Sequence, residues 1–186
     1  MSASFHVVET ELLASLVGQL LELVRDDPAN AADRDDPLAA VLGGLGDEPD
    51  RPTDPVLLRL FPDAYRDDDE AASDFRRFTE RGLRETKAGF AATVLASLAT
   101  ADQAADAYAD AQQREKVKVH LDSNEAEAWL RTLTDLRLAL GTRLGVEEGD
   151  EEHWEALSED DPRRHVHDVY QWLGFVQETL VRAMSS

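Results

Sequence analysis

The stretch WLRTLTDLRLALGTRLGV, residues 129–146, constrains the fold more than any other part of the chain. Its apolar side chains recur three or four positions apart, so they lie on one face of a helix. These residues are Trp129, Leu133, Leu136, Leu140 and Leu144. Before them, Asp122 is a good N-cap and Glu125 is placed as its capping-box partner. After them, Gly145 is expected to end the helix, with Val146 folding back onto the last turn.

Polar residues inside this helix are more numerous than core packing requires. We expect Asp135, Arg137 and Arg143 to form buried or half-buried ion pairs. Arg131 lies four residues before Asp135, so these two side chains are expected to pair along the helix. A structural network is the favoured interpretation. A binding surface formed by the same three residues and Trp172 stays open as the alternative.

Helical spacing predicts three more principal helices. The first begins at Thr10 and ends before Pro28. The last covers residues 162–184, with Asp161 as its cap and a proline in its first turn. The longest covers residues 69–98. Its predicted apolar stripe consists of Phe75, Phe78, Phe90, Val94 and Leu98.

Shorter segments complete the pattern. Asp54 and the proline that follows it predict the start of a short helix. Residues 5–8 are β-prone and residues 116–121 alternate as a strand does, so the two segments are expected to pair as a small ladder. Residues 99–114 are rich in alanine and aspartate. The sequence leaves three outcomes open for these residues: they prolong the long helix, they form a second helix, or they fray.

The last helix carries more bulky groups than one apolar stripe needs. Trp172 and Phe175 widen its apolar face, which predicts contact from two sides. Gly174 lies among these groups, and a glycine inside a helix costs about 1 kcal/mol relative to alanine. We therefore expect Gly141 and Gly174 to mark close approaches between helices.

Length and composition indicate one domain. The 186 residues can bury most of the surface of their unfolded state, and an apolar content of 42% is enough for a core. We predict a mainly α fold: a single-domain helical bundle over residues 1–186, with four to five main helices and room for one small two-stranded β-ladder. Residues 44–54 are predicted to be a mobile loop, and residues 147–161 an acidic loop.

The charge of the chain excludes several classes of function. The formal net charge is −20, and residues 1–75 alone hold 18 acidic and 5 basic side chains. Such a surface repels phosphate backbones and anionic membranes, so nucleic acid is disfavoured as a partner and a membrane is not expected. The sequence contains no cysteine, which excludes disulfides and thiolate sites. With no signal peptide in view, these features favour a cytoplasmic location.

One helix carries a concentration of basic residues. Arg76, Arg77, Arg81 and Arg84 are followed by Lys87, with Glu80 and Glu85 among them. The favoured interpretation pairs these cations with the acidic segments of the same chain. A nucleic-acid-binding regulator that uses this face is the alternative, although no helix-turn-helix can be placed in the sequence.

Histidines form the other cluster that could carry chemistry. His165 and His167 are two residues apart, so on a helix they point in different directions, and His153 lies upstream. Metal-binding pairs on helices are three or four residues apart, so solvated side chains in a first turn are favoured. A metal-dependent enzyme using these three histidines remains an alternative. No catalytic residue, metal ligand or cofactor is predicted.

Three segments together resemble one family. They are residues 60–87, 129–146 and 169–184, and the most specific motifs in them are FPDAYRDD, DLRLALGTRLGV and WLGFVQE. The chain is similar to the DUF2017 family, an uncharacterised actinobacterial family. Thr134 stands where members often carry asparagine. The resemblance implies no established activity or site residues. It does imply genomic proximity to a Clp protease adaptor and to a metal-dependent peptidase with a sulfur-carrier system.

The residue pattern and the family resemblance both favour a protein that binds a partner over one that catalyses a reaction. We predict a helical accessory protein that regulates or binds another protein, with an association to Clp-type proteolysis suggested by the resemblance alone. An enzyme is the less favoured interpretation. Exposed aromatic residues such as Trp172 and Phe175 would supply binding anchors. A homodimer that pairs the last helices of two copies stays open.

Overall fold

The computed structural model describes residues 1–25, 53–65, 68–106 and 115–185, apart from the side chains of Asp69, Asp74, Arg77 and residues 104–106. The predicted mobile loop lies outside these residues except for its last two positions. The elements follow in this order: β1 Ser2–His6, α1 Val7–Arg25, α2 Pro55–Leu60, α3 Asp69–Asp106, β2 Lys116–His120, α4 Ser123–Leu144, α5 Glu151–Glu155 and α6 Pro162–Met184.

The fold is mainly α, as the sequence predicts, and α4 is its central helix. Helices α1, α2, α3 and α6 all pack against α4, while α1 and α3 also pack against each other. The predicted ladder is confirmed, because β1 and β2 pair antiparallel with Phe5 opposite Val117. Strand β2 also packs against α3. The ladder therefore closes one end of the helical bundle.

The predicted ends of α4 are confirmed. The Asp122 carboxylate accepts a hydrogen bond from the Glu125 N–H at 2.8 Å, and the Glu125 carboxylate accepts one from the Asp122 N–H at 2.8 Å. At the other end Gly145 adopts φ 72°, a left-handed conformation that costs glycine little. The Val146 N–H donates to the Gly141 carbonyl at 2.9 Å, as in a Schellman ending.

Two boundaries differ from the prediction, and one of the outcomes left open for residues 99–106, extension of the long helix, is observed. Helix α1 begins at Val7, not Thr10, because the Glu9 carboxylate accepts the His6 N–H at 2.6 Å and caps the helix directly after β1. Helix α3 continues to Asp106, since alanine is the strongest helix former. Residues 107–114 lie outside the described part. The acidic segment 147–161 is not a continuous loop, because it contains α5.

The core is centred on Trp129. Its ring stacks on Phe5 with 5.8 Å between centroids, and its indole N–H donates to the Ser97 hydroxyl at 2.8 Å. The indole is therefore buried with its polar atom satisfied. The other largest fully buried side chains are aliphatic: Leu13, Val17, Val24, Val56, Val94, Val117, Val119, Leu133 and Leu173.

Candidate functional site

The charged residues of α4 face three different neighbours. Asp135 is buried and accepts a hydrogen bond from the Lys87 ammonium of α3 at 2.6 Å. Arg137 donates to the Gln177 side chain of α6 at 2.7 Å. Arg143 pairs with Asp54, the N-cap of α2, at 2.6 Å. The three side chains therefore tie α4 to three helices and do not converge on one pocket.

The predicted ion pair between Arg131 and Asp135 does not form. Arg131 lies 3.4 Å from Glu127, one turn earlier, and both of these side chains are exposed. Asp135 turns toward α3, where Lys87 is its partner. Burial raises the pKa of Asp135 above its usual value, because the Lys87 hydrogen bond and charge offset only part of the desolvation.

Both glycines singled out in the sequence lie where α4 and α6 approach closely, which confirms that prediction. A Cβ on Gly141 would lie 3.4 Å from the Tyr170 ring, and one on Gly174 would lie 3.5 Å from the Arg137 guanidinium. The same guanidinium lies 5.1 Å from the centre of the Tyr170 ring. Gly141 of α4 therefore faces Tyr170 of α6, and Gly174 of α6 faces Arg137 of α4, at distances where a Cβ would make ordinary van der Waals contact.

The described arginines of α3 have carboxylate partners in this chain. Arg76 pairs with Asp63, and its Nε lies 4.0 Å from Glu80. Arg81 is exposed and lies 3.4 Å from Glu85. The side chain of Arg77 is outside the described residues.

Arg84 is buried at the junction of three helices. Its Nε and one terminal nitrogen donate to the Glu80 carboxylate at 2.8 and 2.7 Å. Its other terminal nitrogen donates to the Val24 carbonyl at 3.0 Å, where α1 ends. The guanidinium also lies 4.7 Å from the centre of the Phe61 ring, just after α2. Arg84 is therefore a structural arginine in this arrangement, inaccessible to an outside ligand.

Of the three histidines singled out in the sequence, His153 and His167 contact Trp154, and His165 lies outside that aromatic cluster. The ring of His167 stacks on Trp154 with 4.6 Å between centroids, and His153 meets the same indole edge-to-face at 5.3 Å. The Trp154 N–H donates to Asp150 at 2.7 Å, and His165 is exposed. Across the described ranges, no three His, Asp or Glu side chains are grouped closely enough to hold a metal ion.

The aromatic residues of α6 differ in exposure. Trp172 is half-buried against the core, whereas Phe175 is 66% exposed on the outer face of the helix. The expected second contact is therefore not made by Phe175 within the described part of the chain. Gln177, which the sequence did not single out, bridges the Thr134 hydroxyl and Arg137.

A surface that the sequence did not predict lies where the loop after α2 meets the start of α3. It consists of Tyr65, Phe75 and Leu83, and we call it the α2–α3 corner. The predicted apolar stripe of α3 is wrong for Phe75 and Phe78, which are 40% and 72% exposed. Phe78 and Val94 are sixteen residues apart, which at 100° per residue places them about 160° apart around the helix. The same calculation from the sequence alone would have placed Phe78 and Val94 on different faces of the helix.

A shallow pocket opens at this corner. Its apolar wall is formed by Phe61, Pro62, Ala72, Phe75 and Leu83. Asp63, Arg76 and Glu80 contribute its charged wall. Tyr65 meets Phe75 edge-to-face, with 6.1 Å between ring centroids. Apolar and charged groups thus line one shallow concave surface.

No helix in the described segments combines the length and apolar character that crossing a membrane requires.

Comparison with known proteins gives the family. The putative oxidative stress regulator AosR of Mycobacterium leprae (strain TN) is 33% identical over 184 residues, which cover 95% of this chain and 78% of that protein. The oxidative stress regulator AosR of Mycobacterium tuberculosis (strain ATCC 25618 / H37Rv) is 33% identical over 178 residues, covering 93% and 77%. No solved structure matches significantly. The family model described as domain of unknown function (DUF2017) matches residues 1–184. The chain belongs to the DUF2017 family.

Proposed function

We propose that this chain is a regulatory protein of the oxidative stress response that acts by binding another protein. The observation that carries the proposal is the likeness, over 93–95% of the chain, to proteins named oxidative stress regulators. The matched residues include every helix and both strands of the described fold. A regulatory role shared with these relatives is therefore expected to depend on the whole domain.

The placement of the polar residues supports binding over catalysis. Asp135, Arg137 and Arg143 each hold one neighbouring helix, and Arg84 is enclosed by α1, α2 and α3. These residues serve the packing of the bundle. Exposed aromatic groups are the usual anchors of protein interfaces, and this chain presents them at the α2–α3 corner and at Phe175.

The absence of cysteine limits how such a regulator could respond to oxidants. Thiolate oxidation is the common chemistry of redox sensing by proteins. None of the 186 residues is a cysteine. In our proposal the oxidative signal therefore reaches this chain through a partner, and the chain transmits it by association. A connection to Clp-type proteolysis stays a prediction.

Nucleic acid is the less suitable ligand for this fold. The net charge of −20 opposes phosphate, and Arg76, Arg81 and Arg84 already lie beside carboxylates of the chain. Binding of a protein partner requires neither available basic side chains nor a positive surface potential.

Deletion of the gene in its own bacterium tests the proposal. Survival of a hydrogen peroxide challenge is expected to fall, and re-expression of the chain is expected to restore it. Survival of heat and of osmotic shock serves as the control, because a general loss of fitness would lower all three. A deletion strain that survives peroxide as well as its parent would contradict the proposed function.

A further inference from the structure

The outer face of the β-ladder collects positive side chains in a strongly acidic chain. Val117 and Val119 of β2 are fully buried, so the residues that alternate with them point to the opposite face. We call this the ladder face. It holds two of the three lysines and two of the five histidines of the chain, and none of its 39 acidic residues. Across the two strands it consists of six exposed residues: Ser2, Ser4, His6, Lys116, Lys118 and His120.

The two lysines of the ladder face form no ion pair with the described residues, whereas the third lysine of the chain forms the buried pair on α4. The carboxylates nearest to them in sequence serve elsewhere. Glu9 caps α1, and Asp122 and Glu125 form the capping box of α4, while Glu115 is exposed just before β2. The positive charge of the ladder face is therefore available to an anionic partner.

The backbone of β2 is also unpaired along one side, which we call the β2 edge. Met1 and Leu121 exchange two hydrogen bonds, at 2.7 and 2.9 Å, so they form a hydrogen-bonded pair of the antiparallel ladder. Such pairs recur at every second residue, which directs the N–H and C=O groups of Lys116, Lys118 and His120 away from β1. Among the described residues, these groups have no hydrogen-bond partner. An edge of this kind can accept a further strand from another chain.

The side chains along the β2 edge indicate the chemistry of that strand. A strand added there places every second side chain beside Lys116, Lys118 and His120, where opposite charges are favourable and like charges are not. A second copy of β2 would bring lysine against lysine, and lysines on an edge strand commonly prevent that pairing. Nucleic acid needs a longer cationic track than one five-residue strand offers in a chain of net charge −20. An extended segment with carboxylates at alternate positions suits both the backbone and the charge.

We infer that the β2 edge binds an extended acidic segment of the partner protein as a third strand of the ladder. The inference rests on the proposed function, since it names the surface and partner chemistry of that regulator. Main-chain hydrogen bonds to the β2 edge give affinity, and carboxylates beside Lys116 and Lys118 select the segment. Two strands alone are marginal, so a third strand also strengthens the ladder.

Peptide binding to the whole chain tests the inference. The probe is a fluorescein-labelled peptide of alternating glutamate and valine, followed by fluorescence anisotropy at physiological salt, where charges beyond about 8 Å are screened. Lys116→Gln with Lys118→Gln is expected to weaken binding about tenfold, with about threefold from each cross-strand ion pair. Arg25→Gln with Arg59→Gln is the matched control, because both arginines are exposed on helices and the net charge changes equally. This control is expected to bind the peptide as the unaltered chain does.

Two N-methylated forms of the probe separate strand addition from attraction between charges. One form carries an N-methyl group on every glutamate and the other on every valine, so their charges and side chains are identical. Alternate N–H groups of a strand point to opposite edges, so only one form keeps the N–H groups that face β2. The two forms are expected to differ at least tenfold in affinity for the unaltered chain, a comparison that needs no variant to fold.

Equal binding of the two methylated forms, or equal weakening by the lysine and arginine double variants, would overturn the inference. A single-stranded DNA oligonucleotide that binds the chain, but not the lysine double variant, would also overturn it, because the occupant would then be nucleic acid. So would a homodimer in light scattering that the lysine double variant converts to monomer, because the occupant would then be a second copy.

The deletion strain distinguishes failure of the inference from failure of the proposed function. If the β2 edge is the docking site, the lysine double variant fails to restore peroxide survival while the arginine double variant restores it. If the lysine double variant restores survival fully, the inferred site is wrong and the regulatory function stands. Circular dichroism on both purified variants verifies that each is folded.

Discussion

Replacement of Arg84 by alanine should destabilise the fold far more than the same change three residues earlier. Arg84 is 5% exposed and makes two hydrogen bonds to Glu80 and one to the Val24 carbonyl. Hydrogen bonds from a charged group contribute about 1.5–3 kcal/mol each, and breaking a buried ion pair costs about 3–5 kcal/mol. Glu80 keeps Arg76 as a second cation at 4.0 Å, which reduces the penalty.

We therefore expect Arg84→Ala to lower the free energy of unfolding by about 3 kcal/mol. For a chain of this size, such a loss lowers the melting temperature by about 6–12 °C. Urea denaturation followed by circular dichroism measures the change, with coincident fluorescence transitions as the check on two-state unfolding.

Arg81→Ala is the matched control for Arg84→Ala. Arg81 lies on the same helix and pairs with one glutamate, but its side chain is 71% exposed and that of Glu85 is 70% exposed. Solvent screening leaves such a pair worth at most about 0.5 kcal/mol. A double-mutant cycle of Arg84→Ala with Glu80→Ala isolates the ion pair from the Val24 hydrogen bond. Equal stability of the Arg81→Ala and Arg84→Ala proteins would refute the reasoning.

Three further predictions concern stability and can be checked by urea denaturation. Gly89→Ala should stabilise α3 by about 1 kcal/mol, because its Cβ would meet nothing within 4 Å; Gly141→Ala should gain less, since its Cβ would lie 3.4 Å from Tyr170. Asp122→Ala should cost about 1 kcal/mol through loss of the capping box, and an unchanged midpoint would contradict the cap. Hydrogen bonds from Arg163 hold the pKa of Asp161 at about 2, below its usual 3.8. The stability from this cap is therefore present above pH 3.8 and lost as the pH falls toward 2, so Asp161→Ala should differ from the parent at neutral pH and match it near pH 2.

Sequence reasoning succeeded where the determinants are local. The capping box at Asp122, the left-handed Gly145 and the Asp161 cap each depend on residues within a few positions of one another. Helical periodicity likewise located the four long helices. The β-prone segments 5–8 and 116–121 predicted the pairing of the ladder, although the first strand is Ser2–His6 and Val7 begins α1.

It failed where a choice of partner depends on tertiary packing. The sequence offers Arg131 to Asp135 at a favourable helical spacing, yet Lys87, 48 residues away, is the cation that the packing of α3 on α4 brings to it. Exposure of Phe78 was missed for a different reason, since both of its neighbouring turns contain apolar residues. Only the angle between Phe78 and Val94 around the axis of the long helix distinguishes its exposed face from its buried face.

The length of α3 explains why the corner is exposed at all. At 1.5 Å per residue, its 38 residues span about 57 Å, against about 28 Å for the 19 residues of α1. The last turn of α1 meets α3 at Arg84 through the Val24 carbonyl, so residues 69–83 extend beyond the end of α1. The fully buried side chains of α3 lie from Arg84 onward, apart from Ala72. The loop after α2 supports this extension on the side of Phe75, which lines one pocket with Phe61 and Pro62.

A helix gains most of its stability from the packing of its apolar face. Most buried residues of α3 lie from Arg84 onward, whereas Phe75 and Leu83 are exposed. In the exposed part, Arg76 pairs with Asp63 and lies 4.0 Å from Glu80. The ion pairs from Arg76 through Glu80 to Arg84 connect the start of α3 to the end of α1. Phe75 and Arg84 are nine residues apart, which at 100° per residue places them on opposite faces of α3. Because Phe75 is 40% exposed and Arg84 is 5% exposed, Phe75→Ser should lower the free energy of unfolding less than Arg84→Ala does.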